Sequence, residues 1–176
     1  MKSLKLLTCL LLAAGVIFVS STSAKQKTSK KTSKTVSIEG TYKFMYRKLP
    51  NGMEVKAPAI MGLQNFSHGY RNFNVMWMDS AGHHFSLSVV SRYRITDKEY
   101  TETLLYSVMN DEAGLIKKGI TYNMNQTKSS PVKMENGKIS FKFPFDPPSV
   151  TFEGNKMIAS APGMFTDYWE KLNNFK

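Results

Sequence analysis

From Val36 to the C-terminus, apolar residues recur at every second position, and that period constrains the fold more than any other feature of the chain. Tyr42, Phe44 and Tyr46 alternate with Lys43, Met45 and Arg47. Phe73, Val75 and Trp77 alternate with Asn72, Asn74 and Met76. Phe85, Leu87 and Val89 alternate with Ser86 and Ser88, and Ile139, Phe141, Phe143 and Phe145 with Lys138, Ser140 and Lys142. Successive side chains of a strand point to opposite faces, so each run fits a half-buried strand. The residue types agree, because aromatic and β-branched side chains pack well on a pleated surface.

Short turn signals separate the runs. Pro50-Asn51-Gly52 and Glu135-Asn136-Gly137 carry the Asn-Gly pair that accepts positive φ in a tight hairpin. Ser67-His68-Gly69, Asp79-Ser80-Ala81-Gly82, Glu153-Gly154-Asn155, Ala161-Pro162-Gly163 and Asp146-Pro147-Pro148 are further breaks. The pattern predicts strands near 39–48, 53–57, 61–67, 70–79, 83–94, 99–109, 119–124, 132–135, 138–145, 149–153, 156–161 and 164–171. Between Leu104 and Lys118 a helical stripe competes with alternation. Tyr100, Glu102, Leu104, Tyr106 and Val108 alternate and Gly114 would interrupt a helix, which favours a strand followed by a loop. Strands joined in series by tight turns, with no helices between, make an all-β antiparallel meander. Closing it into a barrel removes the exposed edges, and a sandwich is the alternative closure. The expected fold is an antiparallel up-and-down β-barrel of about 8–10 strands.

The first 36 residues read differently. Lys2 and Lys5 precede an apolar stretch from Leu6 to Val19, which ends in Ser20, Ser21, Thr22, Ser23 and Ala24. This is the layout of a secretory signal peptide, residues 1–24, cleaved after about Ala24. The chain's one cysteine, Cys9, lies inside it, so the mature chain would hold no disulfide and no thiol. That suits a bacterial exported protein, periplasmic or secreted. Residues 25–36 form a Lys/Ser/Thr-rich linker that can bury nothing and is expected to be disordered. It reads as a soluble spacer or as a weak contact to an anionic membrane or cell wall. Residues 37–176 form the barrel domain.

This division relocates the charge. The chain carries 24 Lys and Arg against 13 Asp and Glu, a formal +11. Seven of the basic residues and none of the acids precede Val36, so 17 basic and 13 acidic residues remain in the body, a net of +4. A nucleic-acid role loses most of its support.

The order of short motifs is similar to that of the bacterial lipocalin-like domains. Gly40-Thr41-Tyr42 opens the first long strand, with Tyr42 where lipocalins carry the Trp of their Gly-X-Trp signature. Then come Arg47-Lys48-Leu49-Pro50-Asn51-Gly52, Pro58, Gly62-Leu63 and Arg71-Asn72-Phe73-Asn74-Val75. Val150-Thr151-Phe152-Glu153-Gly154-Asn155-Lys156 and Asp167-Tyr168-Trp169-Glu170-Lys171 follow. The resemblance spans roughly residues 38 to 172. It implies a calycin-type barrel and, often, a small apolar ligand such as a lipid.

No Gly-X-Ser-X-Gly elbow, phosphate-cradling glycine loop or metalloprotease helix motif is present. His83 and His84 are adjacent on a strand start and should point to opposite faces, and His68 lies in a turn, so neither spacing suits a metal. No carboxylate pair has a spacing suited to acid/base work. No cofactor, metal or catalytic residue is assigned. The aromatic residues are the positive signal. Tyr42, Tyr46, Phe73, Trp77, Phe85, Tyr106, Tyr122, Phe141 and Trp169, with Arg92, are candidates to line a cavity. Phe165, Asp167 and Trp169 should share one face, which makes Asp167 a candidate buried acid with Arg92 or Arg94 as partner if that face is inward.

Three functional readings follow. The first is an exported barrel that binds a small hydrophobic or amphipathic molecule in its interior, without catalysis. The second is a protein-interaction module in which a filled barrel serves as scaffold. The third is a barrel-pocket cyclase or isomerase, which requires a buried, perturbed acid near an Arg or Tyr.

Overall fold

A computed structural model describes residues 37–114, 120–121 and 126–172. The expected signal peptide and linker, residues 1–36, lie outside the described residues. The strands are β1 (Gly40–Lys48), β2 (Glu54–Val55), β3 (Ile60–Ser67), β4 (Tyr70–Met78), β5 (His84–Ile95), β6 (Glu99–Asp111) and β7 (Ile120–Thr121). They continue with β8 (Gln126–Pro131), β9 (Lys133–Glu135), β10 (Lys138–Lys142), β11 (Ser149–Glu153), β12 (Lys156–Ala161) and β13 (Phe165–Lys171).

All thirteen belong to one antiparallel sheet in the order β7-β6-β5-β4-β3-β1-β13-β12-β11-β10-β9, with β2 on β1 and β8 on β6. Each strand in this path pairs chiefly with its sequence neighbours, and β1 pairs with β13 across the chain's ends. The result is an up-and-down barrel that is nearly closed. Its last seam lies between β8 and β10, where the Ser130 hydroxyl donates to the Lys142 carbonyl at 2.6 Å. Tight turns set the register. At His68-Gly69 and Asn136-Gly137 both central residues have positive φ, the geometry that matches the twist of a two-residue hairpin.

β6 runs on to Asp111, so alternation and not the helical stripe describes Leu104 onward. The run expected over 138–145 ends as a strand at Lys142, because Pro144, Pro147 and Pro148 supply no ladder donor to Phe143–Pro148. β8 was not foreseen in the alternation. Its sequence, Gln-Thr-Lys-Ser-Ser-Pro, has only Ser130 buried. It is held by cross-strand hydroxyl pairs, Thr101 with Ser129 at 3.0 Å and Thr103 with Thr127 at 2.8 Å.

One half of the interior is solid. Tyr42 meets Phe66 and Phe152 edge-on, Tyr100 stacks on Phe141 at 4.2 Å, and Phe66 touches Tyr93 and Phe143. The Tyr42 hydroxyl donates to the Ile38 carbonyl at 3.1 Å, tying the entry segment to this cluster. Aromatic pairs of this kind add about 0.5–1.5 kcal/mol each beyond the area they bury. The opposite half, where β1 ends and β3 and β13 begin, is not filled.

Candidate functional site

A cavity of about 220 Å³ occupies that half. Its walls come from β1, β3, β4, β5, β12 and β13 and from the Phe143–Pro148 segment. The inward residues of β4 are Arg71, Phe73, Val75 and Trp77, and those of β13 are Phe165, Asp167 and Trp169. Leu87, Ala159, Pro147 and Pro148 complete the apolar wall. Trp77 stacks on its cross-strand partner Phe85 at 5.4 Å, so Phe85 backs the wall. Gly62 gives Trp169 room, since a Cβ there would lie 3.0 Å from the indole and 2.9 Å from the Asn74 carbonyl.

Two ion pairs face this space. Arg47 Nε and Nη2 donate to Asp167 Oδ1 and Oδ2 at 2.6 and 2.8 Å, a bidentate fork. The Arg47 guanidinium also lies 3.8 Å from the Phe165 ring centroid. Burial raises the Asp167 carboxyl above its ordinary value, and Arg47 opposes this without cancelling it. Both Asp167 oxygens accept from Arg47, so the acid is held in an ion pair at the cavity wall.

The second pair is deeper. Arg71, 1% exposed, donates from Nη1 to Glu102 Oε1 at 2.9 Å and from Nη2 to Asp146 Oδ2 at 2.6 Å. The Ser91 hydroxyl donates to the same Glu102 oxygen. The guanidinium lies 3.9 Å from the Phe143 centroid. Burial works against the Arg71 charge, but Asp146 and then Glu102 more than offset it, so its pKa moves up. Burial, and next the Glu102 carboxylate, raise the neighbouring Tyr100 hydroxyl well above its ordinary value, which keeps it neutral. The Arg71–Asp146 bond ties Phe143–Pro148 to β4 and so fixes one wall of the cavity.

Of the sequence-derived candidates, Phe73, Trp77 and Trp169 line the cavity, and Asp167 faces it. Tyr42 and Phe141 are buried in the solid half, in the aromatic cluster. Tyr122 lies outside the described residues. Three placements require correction. Arg92 is exposed, because β5 alternates without interruption and Phe85, Leu87, Val89, Ser91 and Tyr93 take the inner face. The partner of Asp167 is therefore Arg47, and neither Arg92 nor Arg94. Tyr46 is on the outer face, stacked on Tyr168 at 4.4 Å. A bulge in β1 causes this: Phe44 pairs with Trp169 and Tyr46 with Tyr168, which leaves Met45 as the extra residue. The same bulge turns Arg47 inward, opposite Asp167. Tyr106 is 41% exposed for the same kind of reason. Val90 pairs with Tyr106 but Ser91 with Leu104, so Leu105 is extra and the alternation reverses beyond it.

The polar residues of the site, Arg47, Gln64, Arg71 and Asp146, were not among the candidates. Two had a signal. Arg71 is in phase with Phe73, Val75 and Trp77, and Gln64 with Ile60 and Phe66. Arg47 is out of phase until the bulge is known, and Asp146 reads only as part of a proline-rich break.

Outside the barrel, Met61 and Met76 are cross-strand partners and, with Leu63, border a depression of about 520 Å³ on the outer face of β3 and β4. Among the described residues no group of three or more His, Cys, Asp and Glu is placed to hold a metal ion. No family model, curated protein or solved structure matches this chain.

Proposed function

We propose that this chain is an exported, lipocalin-like barrel that binds a small hydrophobic or amphipathic molecule in its interior. The cavity carries the reading. At about 220 Å³ it exceeds the roughly 150 Å³ that suffices for benzene, and falls below the roughly 300–1,000 Å³ common for drug-sized ligands. The occupant is therefore small, a ring-sized molecule or the end of a short lipid. Its apolar surface would be buried against Phe73, Trp77, Phe165 and Trp169. At about 25 cal/mol per Å², some 150 Å² of buried apolar surface supplies about 4 kcal/mol of transfer free energy. Export rests on the first 24 residues of the sequence, and the lysine-rich segment after them serves as a spacer.

The chain's two tryptophans, Trp77 and Trp169, both line the cavity. Intrinsic fluorescence is thus a label-free reporter of occupancy. Titration with short-chain fatty acids and simple aromatic molecules should give a saturable change. A response that stays linear in ligand for every compound would refute the reading.

The interaction-module reading has one observation in its favour, the exposed Met61–Met76 pair with Leu63 on the outer face. Methionine-bordered surfaces adapt to varied partners. A Met61→Lys, Met76→Lys double variant separates the two readings, since it alters the outer face and leaves the cavity wall untouched.

A further inference from the structure

The outer face of the barrel carries a cluster of side chains that the cavity does not use. Met76 and Met78 point outward on β4, and His84 opens β5 directly opposite Met78. All three are open to solvent: Met76 and Met78 are 36% and 41% exposed, and the His84 side chain 52%. Backbone bonding shows how near they lie. The Met78 amide donates to the Ala59 carbonyl at 3.0 Å, and the Glu112 amide donates to the His84 carbonyl at 3.1 Å. Each residue thus bonds the strand on its far side, so Met78 and His84 face each other as a non-hydrogen-bonded pair. Such pairs bring Cα atoms to about 4.5 Å and hold their side chains closest. Met76 follows on the same face, about 7 Å along the strand. Met61 lies opposite Met76 and extends the thioether surface onto β3. Methionine is unbranched with three rotatable bonds, so an ion seated above this patch is within reach of both thioethers and the imidazole.

The imidazole is already held as a ligand should be. Glu112 Oε2 accepts from the His84 backbone amide at 2.8 Å and lies 2.9 Å from Nδ1. Against a carboxylate, Nδ1 carries the proton and donates it. Nε2 then keeps its lone pair, on the ring edge turned away from Glu112, and makes no hydrogen bond among the described residues. A carboxylate on the other ring nitrogen fixes the tautomer and the orientation of metal-binding histidines. The ligand set also selects the ion. Two thioethers and one imidazole are uncharged, and thioether sulfur is soft, which favours Cu(I) over Zn²⁺ and over hard cations. Glu112, one hydrogen bond behind, offsets a single positive charge. Thioethers lie outside the His, Cys, Asp and Glu set that forms no metal cluster among the described residues.

We propose that Met76 Sδ, Met78 Sδ and His84 Nε2 form a surface site for a soft monovalent metal ion of the Cu(I) class, with Glu112 as the positioning residue behind the imidazole. The site lies on the outer face of the sheet and stands whether or not the interior holds a ligand.

Silver(I), added as its nitrate in chloride-free buffer, tests the site without redox chemistry. It is titrated into the chain carrying ¹³C at the methionine methyls and ¹⁵N in the histidine rings. The Met76 and Met78 methyls and the His84 Nε2 resonance should shift together and saturate at about one silver per chain. Met53 and Met164, 54% and 56% exposed, are internal controls that should respond only at about tenfold or more higher silver. Met78→Leu and His84→Gln should each weaken binding about tenfold or more. Glu112→Gln should weaken it about tenfold and move the His84 Nδ1 resonance before any silver is added. Zn²⁺ should leave both methyls where they are. The site is overturned if Met53 or Met164 titrates together with Met76 and Met78, if the Leu and Gln variants bind as the wild type does, or if Zn²⁺ shifts the two methyls as silver does. The wild-type comparison of Met78 with Met53 decides the matter even if a variant does not fold.

Discussion

Arg71 shows how much of this barrel depends on single residues. It sits on the inner face of β4 beside three apolar neighbours of the same phase, and it is tolerated there because two acids and a ring face meet its guanidinium. Removing one partner of a buried pair leaves the others uncompensated. Arg71→Met should therefore lower the unfolding free energy by about 3–5 kcal/mol in urea denaturation, and a loss below about 1 kcal/mol contradicts the buried network. Tyr42 gives a prediction in pH. Burial lifts its hydroxyl from 10.0 to about 12. Between those values the unfolded chain has released a proton that the folded chain keeps. The contribution is thus complete below pH 10 and is lost as pH rises toward 12. Tyr42→Phe, measured across that window, should lose less stability with pH than the wild type; parallel curves would contradict the assignment. At this scale the sequence was informative wherever the inner face was apolar. Phe73, Trp77 and Trp169 could be found by counting in twos, and the same count reaches Arg71. Its acids, Glu102 and Asp146, lie 31 and 75 residues further along the chain and meet it only in the fold, so no local pattern marks it as an inward charge.

At the scale of the strand, two bulges decide which residues reach the cavity. Met45 in β1 and Leu105 in β6 are unpaired insertions, and each reverses the alternation beyond it. No residue pattern marks either one, which is why Tyr46 and Tyr106 read as inward and Arg47 as outward. The register makes a direct prediction with toluene as probe. Tyr106→Ala should leave its affinity within about twofold, whereas Trp77→Ala should lower it about tenfold or more by removing buried wall area. The opposite ranking would show that β6 runs in unbroken alternation. β8 escaped the sequence for another reason. It stabilises the barrel through hydroxyl pairs and not through an apolar face, so it carries no period. Ser130→Ala removes the hydroxyl that spans the last seam, and should cost about 0.5–1.5 kcal/mol and speed amide exchange in β8. Unchanged exchange would mean that the seam is held by something else.

At the scale of the whole molecule, the barrel is divided between support and opening. An aromatic cluster fills one half and fixes the strands, which lets the other half keep a cavity walled by β4, β13 and the latched Phe143–Pro148 segment. The all-β class, most strand positions and the barrel closure followed from the alternation and its turns, because period and turn chemistry are local properties. Whether the interior is filled depends on how opposite walls meet across the barrel, which no local pattern encodes. The most direct test fills the cavity from its own wall. Ala159 lines it on β12 and is buried. Toluene titrated into the ¹⁵N-labelled chain should shift the Trp77 and Trp169 indole resonances saturably. Ala159→Leu should abolish that response and leave the fold intact. Saturable toluene binding that persists in Ala159→Leu, or its absence in the wild type, would contradict an internal ligand cavity.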